Sequence, residues 1–486
     1  MSNKPKSIKL NFIMNAILTM SSFIFPLITF PYVSRVLMPD GTGKVAFANS
    51  LITYFNMVAQ LGIPTYGIRA CAKVRDDRKQ LTRTAHELLF INVIMSVIAY
   101  IALAVALICV PKLREERTLY IVVSFTIILT SIGMEWIYKA LEQYSYITIR
   151  SIIFKFVALI AMFLLVRTKS DYIIYGGITI LAASASNIFN LINVHKYIDM
   201  KPVGGYNLKR HLKPVVVFFA MTCATTIYTN LDTVMLGFMK TEADVGYYNA
   251  AVKIKTILVS VVTSLGTVLL PRASYYIENK NMDEFYRLTK KAVNFVFIVA
   301  TPMFIYFTLF AKNGVYFLSG KLYGGSVIPM QIIMPTLLFI GLSNILGIQM
   351  LIPLGKEKIV LHSEIAGAIV DLALNAILIP RYAAAGAAAG TLVAEFVVLV
   401  YQYIYLRKEV AEAFKKISYI KLLIALALAT PCSLVANYIK VGDFITLVIS
   451  SVIFFAIYGL VLLVMKEELL TELIGQFTGK LKKKRV

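Results

Sequence analysis

Residues 43–69 read GKVAFANSLITYFNMVAQLGIPTYGIR, and residues 246–272 read GYYNAAVKIKTILVSVVTSLGTVLLPR. Gly43, Ala48, Val58 and Arg69 recur 203 positions further on as Gly246, Ala251, Val261 and Arg272, and Leu61-Gly62 recurs with one residue of slip as Leu265-Gly266. The weight of this repeat comes from its place among the apolar segments of the chain.

Of 486 residues, 58% are hydrophobic and 15% charged, with a mean hydropathy of +0.75. Such a chain cannot cover a globule with polar surface, and it reads as a polytopic membrane protein. Its apolar blocks run near 20 residues, the length that crosses about 30 Å of hydrocarbon as helix. They fall at 10–33, 44–66, 86–109, 118–138, 147–166, 172–195, 212–239, 250–272, 291–311, 327–352, 359–379, 384–406, 418–437 and 443–465. The expected fold is therefore all-α, a transmembrane bundle of about 14 spans. The first block, preceded by Lys4, Lys6 and Lys9, is too long for a signal core and lacks a small-residue cleavage site, so it reads as a retained helix.

The formal charge of +23 raises the question of nucleic acid, but its distribution points to topology instead. Lys and Arg gather in alternate loops: Arg69, Lys73, Arg75, Arg78, Lys79 and Arg83; Lys196, Lys201, Lys209, Arg210 and Lys213; Arg272, Lys280, Arg287, Lys290 and Lys291; Arg407, Lys408, Lys415, Lys416 and Lys421. The intervening loops carry little beyond Lys240, Arg381 and Lys440. The positive-inside rule then places both termini in the cytoplasm, with the basic tail Lys480, Lys482, Lys483, Lys484, Arg485 on the same side. The loop 111–117 departs from this pattern, with Lys112, Arg114 and Arg117 beside Glu115 and Glu116.

Cys71, Cys109, Cys223 and Cys432 have neither pairing nor metal spacing and read as packing residues; no metal or cofactor is expected. His86, His195, His211 and His362 are scattered near span ends. HExxH, GxSxG, paired CxxC and Gly-rich phosphate loops are missing, so neither an ATPase nor a hydrolase is supported, and the chain is not read as an enzyme.

The two copies lie on the second and eighth spans, six apart. An even number makes the repeats parallel, related by an axis along the membrane normal, as in transporters with two lobes around a central cavity. The chain divides into a first lobe over 1–207, a second over 208–408, and two additional spans with the basic tail over 409–486. In the second lobe, Gly386-Ala-Ala-Ala-Gly390 places small residues one turn apart, which suits close helix packing.

The segment Phe30-Pro-Tyr-Val-Ser-Arg-Val-Leu-Met-Pro-Asp-Gly-Thr-Gly43, followed by Leu61-Gly-Ile-Pro-Thr-Tyr-Gly-Ile-Arg69, resembles the amino-terminal signature of polysaccharide-repeat-unit flippases. These are the Wzx-type (O-antigen) members of the multidrug/oligosaccharidyl-lipid/polysaccharide (MOP) exporter superfamily. Asp232-Thr-Val-Met-Leu-Gly237, Val245-Gly-Tyr-Tyr-Asn-Ala-Ala-Val-Lys253 and Asn375-Ala-Ile-Leu-Ile-Pro-Arg-Tyr382 extend the resemblance over nearly the whole chain. Two positions depart from it: Asp371 stands where the family commonly has Asn, and Ala383 where a Gly usually follows the Tyr. The resemblance implies a cargo of oligosaccharide on a polyprenyl diphosphate, moved from the cytoplasmic to the outer leaflet of a bacterial inner membrane. Membrane lipids, polysaccharide polymerase and chain-length machinery are the implied partners, and nucleic acid is not. A sugar diphosphate is too strongly hydrated to cross hydrocarbon unaided, so a cavity between rocking lobes is the expected route.

Ionisable residues within spans are costly and are therefore the site candidates. The cations are Arg35, Arg150, Lys155, Lys253 and Lys255. Lys155 lies about eight residues, roughly 12 Å, into its helix, too deep for an interfacial anchor. Lys253 and Lys255 are two residues apart and cannot share a helix face; Lys253 closes the family-like Tyr-Tyr-Asn-Ala-Ala-Val-Lys segment. The acids are Glu135, Asp232, Glu364, Asp371 and Glu395. Glu364 and Asp371 are seven apart and share a face that Asn375 extends. Asp371 and Glu395 fall near mid-membrane, and three readings stay open for them: neutral structural carboxyls, ion-pair partners of the cations, or a proton or sodium coupling site.

Three other functions compete. A multidrug exporter of the superfamily is expected to have 12 spans and an acid-lined cavity. A membrane glycosyltransferase or polymerase needs long catalytic loops, and the loops here are short. A murein-precursor (lipid II) flippase shares both the span number and the cationic cavity.

Overall fold

A computed structural model of the chain describes residues 8–472 apart from 416 and 440; Lys4, Lys6, Lys416, Lys440 and the basic tail lie outside them. Among the described residues the secondary structure is helical, with no strand. Among the described residues ten helices are long and apolar enough to cross a membrane, or eleven when Lys321–Ile333 and Thr336–Leu351, bent by 46°, count as one span. Two of the ten, Ile13–Ala72 and Glu357–Lys415, each join two of the expected segments across a kink, and Arg117–Gly133 falls short in length. Each of the fourteen segments expected from the sequence therefore lies on helix, although 44–66, 118–138 and 327–352 are broken within their expected lengths.

Packing divides the chain into two compact units, Met1–Gly246 and Tyr247–Val486. The first holds α1 (Ile8–Gln60), α2 (Ile63–Ala72), α3 (Arg78–Cys109), α4 (Pro111–Glu115), α5 (Arg117–Gly133), α6 (Glu135–Ala140), α7 (Tyr144–Leu165), α8 (Tyr172–Ile180), α9 (Asn187–Asn193) and α10 (Lys209–Met239). The boundary drawn by packing thus differs by one helix from the boundary drawn by the repeat. The reason is local: α10 lies against α1 and α2, with Gly237 beneath the Phe47 ring and the Val215–Phe219 backbone against Gly62.

Backbone breaks shape this unit. α1 kinks at Met38 (φ 59°, ψ 179°), immediately before Pro39, whose ring bars the preceding residue from helical geometry and whose nitrogen has no hydrogen to donate. It ends at Leu61-Gly62, both left-handed (φ 44° and 72°). At Gly62 a β-carbon would lie 2.5 Å from the Phe219 nitrogen, so only glycine allows the turn and the contact together. The second expected span, 44–66, consequently stops at Gln60 and its tail becomes α2. Likewise Met134 (φ 42°) divides the expected span 118–138 into α5 and α6. The two broken ends pack on each other, with Gly67 of α2 against the Trp136 indole of α6. Asp77 caps α3 by accepting from the Lys79 and Gln80 amides at 2.9 and 3.0 Å.

α11 (Glu242–Glu278) begins in the first unit and continues into the second. It runs six residues past the expected end of its span, so Arg272 stands inside a helix and not at its terminus. There follow α12 (Met282–Leu309), α13 (Ala311–Ser319), α14 (Val327–Ile333), α15 (Thr336–Ser343), a π-helical stretch Asn344–Leu351, α16 (Glu357–Lys415), α17 (Tyr419–Leu434) and α18 (Asp443–Val464). α16 folds at Ala383 (φ 46°, ψ −124°) into two arms. The Gly-Ala-Ala-Ala-Gly segment closes that fold: a β-carbon on Gly386 would lie 2.5 Å from the Leu378 carbonyl oxygen. α17 and α18 have no counterpart in the repeat; α18 is fixed to α12 by Tyr306 Oη donating to the Leu447 carbonyl at 2.8 Å and Tyr458 Oη to the Ile298 carbonyl at 3.0 Å, and α17 packs along α18.

The surface of the helices is apolar. On α3 alone, Ile94, Val97, Ile98, Ile101, Val105 and Ile108 form one exposed stripe at helical spacing. In water such a surface would drive aggregation; against lipid it is at no disadvantage, since helix satisfies every backbone group internally. The protein is a multi-pass membrane protein.

Candidate functional site

The cations expected at the site are placed very differently. Lys155 sits mid-way along α7, half-buried, and its ammonium donates to Ser21 Oγ at 2.7 Å and Ser22 Oγ at 3.0 Å, both on α1. The Phe25 ring lies 6.0 Å away. Among the described residues no ion pair involves Lys155. Two neutral hydroxyls orient the ammonium while leaving its charge uncompensated, the condition under which a lysine can attract an anion.

Arg150, in the second turn of α7, is 6% exposed. Its guanidinium bridges three segments: Nη2 donates to Glu135 Oε2 at 3.1 Å, and Nη1 to the Ser186 carbonyl and Asn187 Oδ1 at 3.1 and 3.2 Å. Glu135 is shared with Lys139 at 2.8 Å. This arginine holds α6, α7 and α9 together through a planar fork that lysine cannot reproduce. Arg35, on α1 before the kink, is exposed and donates to the Pro31 carbonyl at 2.5 Å. In the second unit Lys253 and Lys255 are both half-buried on α11, to either side of buried Ile254.

The acids cluster more tightly. On α16, Ser363, Gly367, Asp371, Asn375 and Ile379 form one buried stripe at four-residue spacing, with Glu364 half-buried at its edge. The returning arm closes on that stripe: a β-carbon on Gly390 would lie 2.4 Å from Asn375 Oδ1 and 3.0 Å from Asp371 Oδ1. Beside it Tyr248 Oη and Thr391 Oγ1 are 2.9 Å apart, and Glu395 is buried one turn further on. Further along, Gln402 Nε2 donates to Ser363 Oγ at 3.0 Å, and Gln349 Nε2 to Asn344 Oδ1 at 3.2 Å with Gly266 pressed against both. The result is a polar seam inside the second unit. Sequence reasoning found its acids but missed Ser363, Gln402, Gln349 and Asn344, which bear no charge; the four-residue spacing of polar and small residues was the available signal. Asp232 is buried on α10 in the first unit.

A third constellation was not expected. Glu87 on α3 accepts from Arg210 Nε at 2.9 Å, His211 Nε2 at 2.7 Å and the Asn207 amide at 2.7 Å. His86 Nδ1 and Tyr206 Oη are 3.0 Å apart, and Arg78 Nε reaches Asp199 Oδ1 at 2.9 Å. The linker 199–207, at the boundary between the two expected lobes, is therefore tied to the beginning of α3 at Asp199, Tyr206 and Asn207.

Residues 8–277 match the family described as "Polysaccharide biosynthesis protein". The chain belongs to this family. Within the polysaccharide biosynthesis proteins it is similar to the "Putative O-antigen transporter" of Escherichia coli (strain K12), with 27% identity over 84% of this chain and 98% of that one. A protein of the same name from Shigella dysenteriae is 25% identical over 78% of this chain and 95% of its own. Among solved structures, the lipid II flippase MurJ in an inward closed conformation shares the fold, with a TM-score of 0.67 at 14% identity over 94% of this chain and 100% of that one. An inward-facing multidrug resistance MATE family transporter of the MOP superfamily shares it with a TM-score of 0.60 at 13% identity, over 84% and 99%. The two relatives thus carry the name of transporters, and the fold is one that a flippase and a multidrug transporter share.

Proposed function

We propose that the protein moves a polyprenyl-diphosphate-linked oligosaccharide from the cytoplasmic to the outer leaflet of the bacterial inner membrane, for cell-surface polysaccharide, by alternating access between lobes 1–207 and 208–408. Both termini would be cytoplasmic, and polymerase and chain-length machinery would act on the delivered cargo. The two O-antigen-transporter relatives support the cargo class. The observation that carries the reading is Lys155, a mid-span ammonium oriented by Ser21 and Ser22 with no carboxylate among the described residues to neutralise it. An acid-lined drug cavity would not keep such a group, whereas a diphosphate would use it.

In this reading Lys155 and Lys253 are the leading phosphate ligands, with Arg35, Arg150 and Lys255 adding to the positive field. Asp232, Glu364, Asp371 and Glu395 are the acids for coupling or for structure. The membrane potential adds to the drive, since two negative charges moved outward gain roughly 4–5 kcal/mol at about 100 mV.

The test is deletion of the gene and analysis of polyprenyl-diphosphate sugars. Accumulation of a lipid-linked oligosaccharide, cleared by the wild-type gene, is the expected result. No accumulation, together with a gain in drug sensitivity, would replace this reading by the exporter.

A further inference from the structure

The loop 111–117 breaks the pattern of basic loops, and nothing proposed above uses it. Three of its charged residues have partners. Lys112 Nζ lies 3.6 Å from Glu242 Oε1 and donates to the Lys240 carbonyl at 2.8 Å. Glu116 accepts from Lys44 Nζ at 2.5 Å and from Tyr172 Oη at 2.7 Å, and Arg114 donates to the Ile108 carbonyl.

Beside these pairs two backbones touch. A β-carbon on Gly43 would lie 1.8 Å from the Glu242 carbonyl oxygen, and one on Gly246 would lie 2.2 Å from that of Pro39. Pro39 and Glu242 occupy equivalent places in the repeat, as do Gly43 and Gly246. Each copy's glycine therefore meets the residue four positions before the other copy's glycine, a reciprocal contact of the kind a two-fold axis produces.

We propose that this glycine contact, with the Lys112–Glu242 and Lys44–Glu116 pairs around it, is a latch across the outer mouth of the cargo path, and that it must part for cargo to leave. The proposal rests on the flippase reading and on the topology that puts this end of the bundle outside. The chemistry suits a contact that opens in every cycle. Glycine backbones meet without interlocking side chains, and the ion pairs are a quarter to a third exposed, so water replaces each partner at small cost. The left-handed kink at Met38-Pro39, immediately before Gly43, supplies a pivot.

The test joins cysteines at positions 112 and 242, in a chain whose four native cysteines are replaced by alanine, with a disulfide-containing bismaleimide. Transport of a lipid-linked oligosaccharide is then followed in proteoliposomes. The linked protein should transport at less than a tenth of the unlinked rate and recover on reduction. Linked protein that transports at the unlinked rate overturns the latch, whereas unlinked protein that transports nothing counts against the flippase reading.

A second arm needs no cargo. Ala48→Cys, buried one turn beyond Gly43, should react slowly with a membrane-impermeant maleimide from outside. It should react several-fold faster with Gly43→Ala or Lys112→Glu, and slowly again when Lys112→Glu is combined with Glu242→Lys. Equal rates in all four proteins overturn the latch even if Gly43→Ala fails to fold.

Discussion

Glu87 and His211, 124 positions apart in the chain, meet through a 2.7 Å hydrogen bond between a carboxylate with no exposed surface and a buried imidazole. Because the carboxylate can only accept, Nε2 carries the hydrogen, and Nδ1 of the neutral ring accepts from Tyr66 Oη at 2.9 Å. α2, α3 and α10 are joined at one point, and the Asn207 amide and Arg210 complete the carboxylate's shell.

Removing that carboxylate strands a buried imidazole, an amide and a guanidinium at once. Glu87→Ala should destabilise the protein by about 3–5 kcal/mol, the loss typical of breaking a buried pair from one side. Thermal melts in detergent should show a fall of several degrees, with a smaller fall for His211→Ala. Equal melting of Glu87→Ala and wild type would mean that the linker is not held as described.

Charge reversal separates the cations by role. Lys155→Glu and Lys253→Glu should each abolish transport while folded protein persists. Arg150→Ala should lower stability first, toward the low end of about 3–5 kcal/mol because Lys139 still faces Glu135. Parallel measurement of transport and melting checks this, and unchanged transport in both lysine variants would remove the basis for a cationic cavity.

Ala383 has a left-handed backbone (φ 46°) at the fold of α16, a conformation that glycine adopts without strain. A side chain there costs roughly 1–2 kcal/mol, offset in part by the greater freedom that glycine gives the unfolded chain. Ala383→Gly should therefore be neutral to stabilising by about 1 kcal/mol, and Ala383→Val should lower the melting temperature.

The cap of α3 makes a local pH prediction. Hydrogen bonds from the Gln80 amide first, then the Lys79 amide, hold the Asp77 carboxyl below its ordinary value. A depressed folded value means that the cap's contribution is present above the unfolded pKa and fades as pH falls through the folded one. Exchange at the Lys79 and Gln80 amides should accelerate below about pH 4 relative to the helix interior. Asp77→Asn should keep the cap and lose that dependence.

The fold was legible where the bilayer leaves no choice: apolar length places each expected span on helix, because a spanning backbone must bond to itself. Breaks were legible only where a residue type forces them, as Pro39 does. Leu61 and Met134 take left-handed conformations that their side chains do not favour, so packing imposes them and no local signal announces them. At the site, the depth of Lys155 could be read by counting, but Ser21 and Ser22 come from another helix and share no spacing with it. Gly390 was an exception, since the small-residue pattern that brings it against Asn375 and Asp371 is written within one short segment.

The touching glycines carry one more consequence. A chain made by doubling can let its two halves drift apart wherever each meets different neighbours, but not where each half is the other's neighbour. At Gly43 and Gly246 any side chain added to one copy displaces the backbone of its twin, so a single change must be accommodated twice. The doubling has thus made its own meeting point the place least free to change.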